Sequence, residues 1–278
     1  MILLPDPIQI VLEADLPAGS HLQRVVASEV VRALQLQVPG LGERRPRAGA
    51  GPFEQALRRG RTQRGGAVIA EYKQGSPSLG PFALGTPLAR QLRFYGDGGA
   101  ACLSILTEPA WFYGSTAHLE AAEEAGLPRL YKGFVVSEVQ LREAAASGAE
   151  AVLLIARVLK GHTAAFAALA RSYGLEPLVE LHDLTEVPFA QAAEARLVGI
   201  NARDLATFTL GAPSAAPLRQ AFPEAVLIRE SGLATPEDAA RAFEAGFDAV
   251  LIGEALMRSL NPRRFLERIF SALPAEAV

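Results

Sequence analysis

A chain of 278 residues, half of them hydrophobic, can bury a large core as one barrel or two modest domains. Its 27 basic and 30 acidic residues leave a net charge of −3 with no long block of one sign, which argues against nucleic acid or a membrane surface and favours a small-molecule partner. No apolar run nears the ~18 residues a membrane span needs. The opening stretch, residues 1–16, lacks a positively charged start and is broken by Pro5 and Pro7, so it reads poorly as a signal peptide. A single cysteine, Cys102, cannot form an internal disulfide and fits a reducing, cytoplasmic setting.

In chain order, the first clear pattern is amphipathic. Leu22, Val25, Val26, Val30, Ala33 and Leu34 recur at helical spacing within residues 20–38, which predicts a helix packed on the rest of the protein. Residues 39–52 are rich in Gly, Pro and Arg and read as an exposed linker, and 53–60 as a short helix. From Ala67 onward, eight short aliphatic runs alternate with Ala/Leu/Glu/Arg stretches: 67–72, 101–106, 129–136, 151–156, 176–181, 196–201, 225–230 and 248–253. This is a βα repeat, and near-continuous hydrophobicity suits strands buried on both faces. Eight units in about 200 residues predict a closed (β/α)8 barrel. A doubly wound dinucleotide-binding sheet fits less well, because no GxGxxG follows the first run. Helix punctuation agrees: Ser137 precedes a stretch ending at Gly148, and Thr235-Pro236 opens one ending at Gly246. The expected division is an N-terminal helical extension over 1–60 and a barrel over 61–278.

Barrel chemistry gathers where strands end. The residues expected there are Glu71 and Lys73 on the first strand, Lys132 on the third, Glu180 on the fifth, Asn201 with Arg203 beyond it on the sixth, and Glu230-Ser231-Gly232 on the seventh. Of the 27 basic residues only Lys73, Lys132 and Lys160 are lysine, and two of these fall at strand ends. A compact ammonium that can exchange a proton is something arginine does not replace. Each charge alone could be a salt-bridged rim residue. Several around one mouth are costly without a ligand or a reaction. Gly232 and Gly253, where strands seven and eight enter loops, suit a backbone phosphate cradle, although either glycine could simply permit a tight turn. Arg203 could add bidentate charge to the same phosphate.

Other candidates carry weaker signals. His21, His118, His162 and His182 show no metal-ligand spacing, and only His182, beside the fifth strand, has a place near substrate. Cys102 reads as a small core residue and Lys160 as a solvated loop lysine. Phe112, Phe134, Leu153 and Pro77 read as core residues that, near the mouth, could hold an aromatic ring.

The stretches 69–80 (IAEYKQGSPSLG), 104–108 continuing through 112–115, 174–180, 199–205, 230–232 and 251–258 resemble indole-3-glycerol phosphate synthase, from about Ser20 to the C-terminus. The run after the first strand is the most specific, since general phosphate barrels share the glycine after strand eight but not this loop. The resemblance implies cofactor-free ring closure of 1-(2-carboxyphenylamino)-1-deoxyribulose 5-phosphate, with loss of carbon dioxide and water, by a cytoplasmic lyase of tryptophan biosynthesis acting as a monomer or weak homo-oligomer, with no metal. It makes Lys132 the general acid and Glu180 the proton-handling group opposite. Lys73 pairs with substrate carboxylate or phosphate, and Glu71, Asn201 and Glu230 orient the others. Ser76, Arg203, Ser231, Gly232, Gly253 and the backbone of Glu254 hold phosphate, while Phe112, Phe134, Leu153 and Pro77 hold the anthranilate ring. Three departures stand out. Gly133 occupies a position where the family usually has Asp, Gln74 replaces a usual Arg, and Glu254 must turn its carboxylate away from a phosphate bound by its own N–H. The first 19 residues match no family pattern. The rival readings are another phosphosugar barrel, such as phosphoribosylanthranilate isomerase with its Cys/Asp pair, and an inactive barrel serving as a binding subunit.

Overall fold

The eight predicted runs form strands within a residue or a few of the expected bounds, and a computed structural model describes residues 4–38, 49–77, 79–201 and 214–273. The strands are β1 Ala67–Tyr72, β2 Cys102–Leu106, β3 Arg129–Lys132, β4 Ala151–Ile155, β5 Glu176–Leu181, β6 Leu197–Asn201, β7 Val226–Glu230 and β8 Ala249–Ile252. All pair in parallel, each with its sequence neighbour, and Ala67 of β1 registers with Ala249 of β8 to close the barrel. The third run was expected to reach Val136 but the strand stops at Lys132, just before Gly133. Nearly every strand residue is buried, as expected for strands with side chains in the barrel on one face and helices on the other.

The extension contributes three helices. α1 (Pro7–Ala14) starts at Asp6, whose carboxylate accepts from the Ile8 N–H, and buries Ile10 and Ala14. α2 (His21–Gln35) begins after Ser20, whose hydroxyl caps the Gln23 N–H, and buries Leu22, Val25, Val26, Val30 and Ala33 as its periodicity predicts. Leu34, assigned to the same stripe, is instead 59% exposed, so the apolar face is narrower than the sequence suggests.

Most of the expected linker, 39–48, lies outside the described residues. α3 (Pro52–Arg64) then runs past the predicted stop at Gly60 to a left-handed Gly65. Gly60 is not a terminator. A Cβ there would lie 2.9 Å from Ala67 Cβ, so the glycine permits close approach of α3 to β1. The Glu176 carboxylate at the start of β5 accepts from the N–H groups of Gly51, Phe53 and Glu54, fixing the α3 N-terminus across the end of the barrel opposite the site. Both predicted caps form: Ser137 with Gln140, and Thr235 with Asp238, each make a capping box. No helix among the described residues is long and apolar enough to cross a membrane.

Candidate active site

Where the strands end, the barrel opens into a cavity of about 570 Å³, within the range of small-molecule sites. Glu71, Lys73, Ser76, Pro77, Phe112, Lys132, Phe134, Leu153, Glu180, Asn201, Glu230, Ser231, Gly232, Gly253 and Glu254 all line it. Arg203 falls outside the described residues.

Register explains the convergence. Side chains alternate along a strand, so Glu71 and Lys73, two apart, point the same way, and their charges meet at 2.8 Å. Glu71 is also within reach of the Ser104 hydroxyl on β2, at 3.4 Å. Lys132 at the end of β3 extends its ammonium to Glu230 at 2.5 Å and to Glu180 at 3.5 Å. Glycines make room for this cluster. A Cβ on Gly199 of β6 would lie 2.2 Å from the Glu230 carboxylate, and one on Gly253 would lie 2.2 Å from that of Glu71. Gly253 has φ −118°, so it serves space and not a left-handed turn. Ser231 and Gly232, by contrast, do adopt φ of 63° and 71°.

Burial opposes the charge on Lys132, but Glu230, Glu180 and Glu71 outweigh it and hold the ammonium protonated well beyond its usual range. For Glu71, burial is outweighed by Lys73 and Lys132, and its carboxyl is held below the usual range. Burial pushes Glu230 up to about 8, with Lys132 opposing and Glu180 reinforcing. The negative charge gathered around Lys132 holds its ammonium charged, while burial and the neighbouring Glu180 raise Glu230.

The walls divide by chemistry. Phe112 and Phe134 stand with ring centroids 5.8 Å apart at 32°, and Phe112 is placed by Glu108, whose carboxylate accepts from the N–H groups of Ala110, Trp111 and Phe112. Opposite charges dominate near Gly253, where a five-residue helix, Glu254–Arg258, begins without a side-chain cap. The Glu254 carboxylate turns back to Arg258 at 3.3 Å. Among the described residues no cluster of His, Cys, Asp and Glu is arranged as a metal site.

Several lining residues escaped the sequence reading. His21, Leu22 and Val25 of α2 reach the cavity, as do Arg258 and Phe265. The amphipathic stripe of α2 signalled burial but not that its first turn would cover a site. Gly199 gave no signal beyond its presence in a strand. His182, given a place near substrate, is not among the described residues lining the cavity. Cys102 is fully buried against the Phe53 carbonyl of α3. Lys160 is half-buried, and its φ of 44° closes the turn after β4.

A parallel eight-stranded barrel with a charged, ring-lined cavity at its strand ends defines a (β/α)8-barrel enzyme. Its architecture is shared with 3-hexulose-6-phosphate synthase (TM-score 0.57, 14% identity, 75% of this chain and 100% of that one) and with thiamine phosphate pyrophosphorylase from Pyrococcus furiosus (TM-score 0.53, 14% identity, 76% and 96%), likenesses of fold alone. At the level of sequence, the family model described as indole-3-glycerol phosphate synthase matches residues 24–269. Indole-3-glycerol phosphate synthase of Desulfosudis oleivorans is 39% identical over 88% of this chain and 95% of its own, and that of Paracidovorax citrulli 38% identical over 90% and 98%. Indole-3-glycerol phosphate synthase 2 of Streptomyces coelicolor is 45% identical over 76% and 81%. The chain belongs to the indole-3-glycerol phosphate synthase family and is a lyase of tryptophan biosynthesis.

Proposed function

We propose that Lys132 and Glu180 carry the family's ring closure here, on 1-(2-carboxyphenylamino)-1-deoxyribulose 5-phosphate. The observation that carries this reading is the part-buried Lys132 ammonium held between Glu180 and Glu230 on the cavity wall. In the first step the ring carbon bearing the carboxylate attacks the ketone carbon, and Lys132 gives its proton to the ketone oxygen as the new C–C bond forms. Loss of carbon dioxide breaks the bond to the carboxylate and returns the electron pair to the ring. Water then leaves: Lys132, reprotonated from solvent after the first step, protonates the departing hydroxyl, while Glu180 takes the proton released as the double bond forms and returns it to solvent. Glu71 and Glu230 hold Lys73 and Lys132 in place before substrate arrives.

Lys73 would meet the substrate carboxylate or phosphate, with Asn201 toward the substrate hydroxyls. The phosphate would sit against Ser76, the left-handed Ser231-Gly232 turn and the Gly253–Glu254 backbone, with Arg203 adding charge. The anthranilate ring would lie along Phe112 and Phe134 beside Leu153 and Pro77. Where the family usually has Asp, Gly133 leaves space that a Cβ would lose to Tyr131 (2.8 Å) and Thr107 (2.9 Å). Negative charge around Lys132 comes instead from Glu230, Glu180 and Glu71. That supply of charge weighs against an inactive barrel. The isomerase reading needs a cysteine in the cavity, and Cys102 is elsewhere.

We read residues 1–60 as an extension that helps cover the site of a catalytic barrel over 61–278. The reading extends to a cytoplasmic protein, monomeric or weakly associating, without a nucleic-acid partner. Its test is the appearance of indole fluorescence with release of one carbon dioxide per product when the purified chain meets the carboxyphenylamino substrate. No fluorescence, or turnover of phosphoribosylanthranilate instead, overturns it.

A further inference from the structure

Just past the end of β5, two residues from Glu180 and on the same face of the chain, lies His182. Its side chain is 2% exposed, and neither ring nitrogen has an aligned hydrogen-bond partner among the described residues. Such a group in a barrel wall calls for an explanation. Nε2 stands 3.4 Å from Glu180 Oε1, close enough to touch but out of line for a hydrogen bond, while Glu180 Oε2 is the oxygen that faces Lys132. On the other side, Nδ1 is 3.9 Å from Glu186 Oε2. Glu186 is already engaged, accepting from the His182 backbone N–H at 2.8 Å and from Arg157 Nε at 2.7 Å. Nδ1 therefore has little to gain from a proton, and the tautomer bearing Nε2–H is the one that satisfies a neighbour.

We infer that His182, as a neutral imidazole, is a positioning residue for Glu180: its Nε2–H holds Oε1 and leaves Oε2 free to face Lys132 and the reacting substrate. The groups facing the ring are Glu180, Glu186 and Arg157, with Glu230 and Lys132 beyond. Burial outweighs Glu186 and pushes the imidazole down to about 4, so it stays neutral over the working range and adds no cation to the cluster. A contact that is loose in the free enzyme and tightens when substrate settles Glu180 is common for groups of this kind. A neutral donor orients Glu180 without adding a second cation beside Lys132, so the carboxylate stays available as a base.

The inference rests on the proton-handling role given to Glu180, and the experiment separates the two. Wild type, Glu180→Gln, His182→Gln and His182→Leu are compared for kcat, KM, their pH profiles and thermal unfolding. His182→Gln puts an amide N–H near the place of Nε2 and is expected to keep kcat and the pH profile close to wild type. His182→Leu is expected to lower kcat about ten- to hundredfold with KM little changed. Its acid limb should move to higher pH, because a carboxylate stripped of a donor binds a proton more readily. An unmoved acid limb in His182→Leu overturns the inference whatever the loss of activity or stability, as does a His182→Gln enzyme as impaired as His182→Leu. Full activity in Glu180→Gln overturns the role of Glu180 itself, and with it this inference.

Discussion

Glu230 shows how a single side chain couples the site to stability. Its carboxyl ionises near its ordinary 4.5 in the unfolded chain but is pushed up to about 8 by burial in the fold. Between those values the native state binds a proton the unfolded state lacks, so this group's stabilising contribution is complete below about 4.5 and lost as pH rises through about 8. Glu230→Gln keeps the size and a hydrogen-bonding end without the titration. It is expected to unfold at a higher temperature than wild type by a margin larger at pH 8 than at pH 5, while losing activity through a less well held Lys132. Equal margins at both pH values in thermal denaturation would count against the assignment. Much of this was legible one residue at a time: Glu71, Lys73, Lys132, Glu180 and Glu230 were all nameable as charges at strand ends. Gly199 and Gly253 were not legible as space for Glu230 and Glu71, because that role depends on a neighbouring strand's side chain and not on the glycine's own turn.

At the scale of elements, α2 joins the extension to the catalytic strand. Arg32 bonds Glu29 and Glu143 at 2.9 Å each and the Tyr131 hydroxyl at 2.9 Å, and Tyr131 immediately precedes Lys132. Gln140 adds a bond to Glu29 at 2.6 Å. Removing the cation leaves Glu29, 1% exposed, buried without its charge partner. Arg32→Met is therefore expected to cost about 3 kcal/mol of unfolding free energy in denaturant titration. It should also raise KM, because the first turn of α2 supplies His21, Leu22 and Val25 to the cavity. Burial already raises the Glu29 carboxyl, so in the variant it should take up a proton and the cost should be smaller at pH 5 than at pH 8. An unfolding free energy within about 0.5 kcal/mol of wild type would contradict the clamp. Helices were readable from period and caps, as at Ser20 and Thr235. Their docking was not: α3 outran its predicted end because Gly60, a breaker by local propensity, is required by contact with β1.

For the molecule as a whole, repetition made the barrel legible. Eight runs at crossover spacing left few ways to bury them. What repetition could not supply is the arrangement across the mouth, where β1, β3, β5 and β7 must bring side chains from residues 71 to 230 within a few ångströms. That convergence is a property of closure, visible only once β8 meets β1. Its chemical consequence is that the Lys132 proton can be delivered to one point and taken up beside it. The most direct measurement is single-turnover formation of indole product by Lys132→Met beside wild type, with substrate binding measured separately. Binding is expected to stay within about tenfold of wild type, and product formation to slow by ~10²–10⁴ or more. Product formed at the wild-type rate would contradict the role given to Lys132.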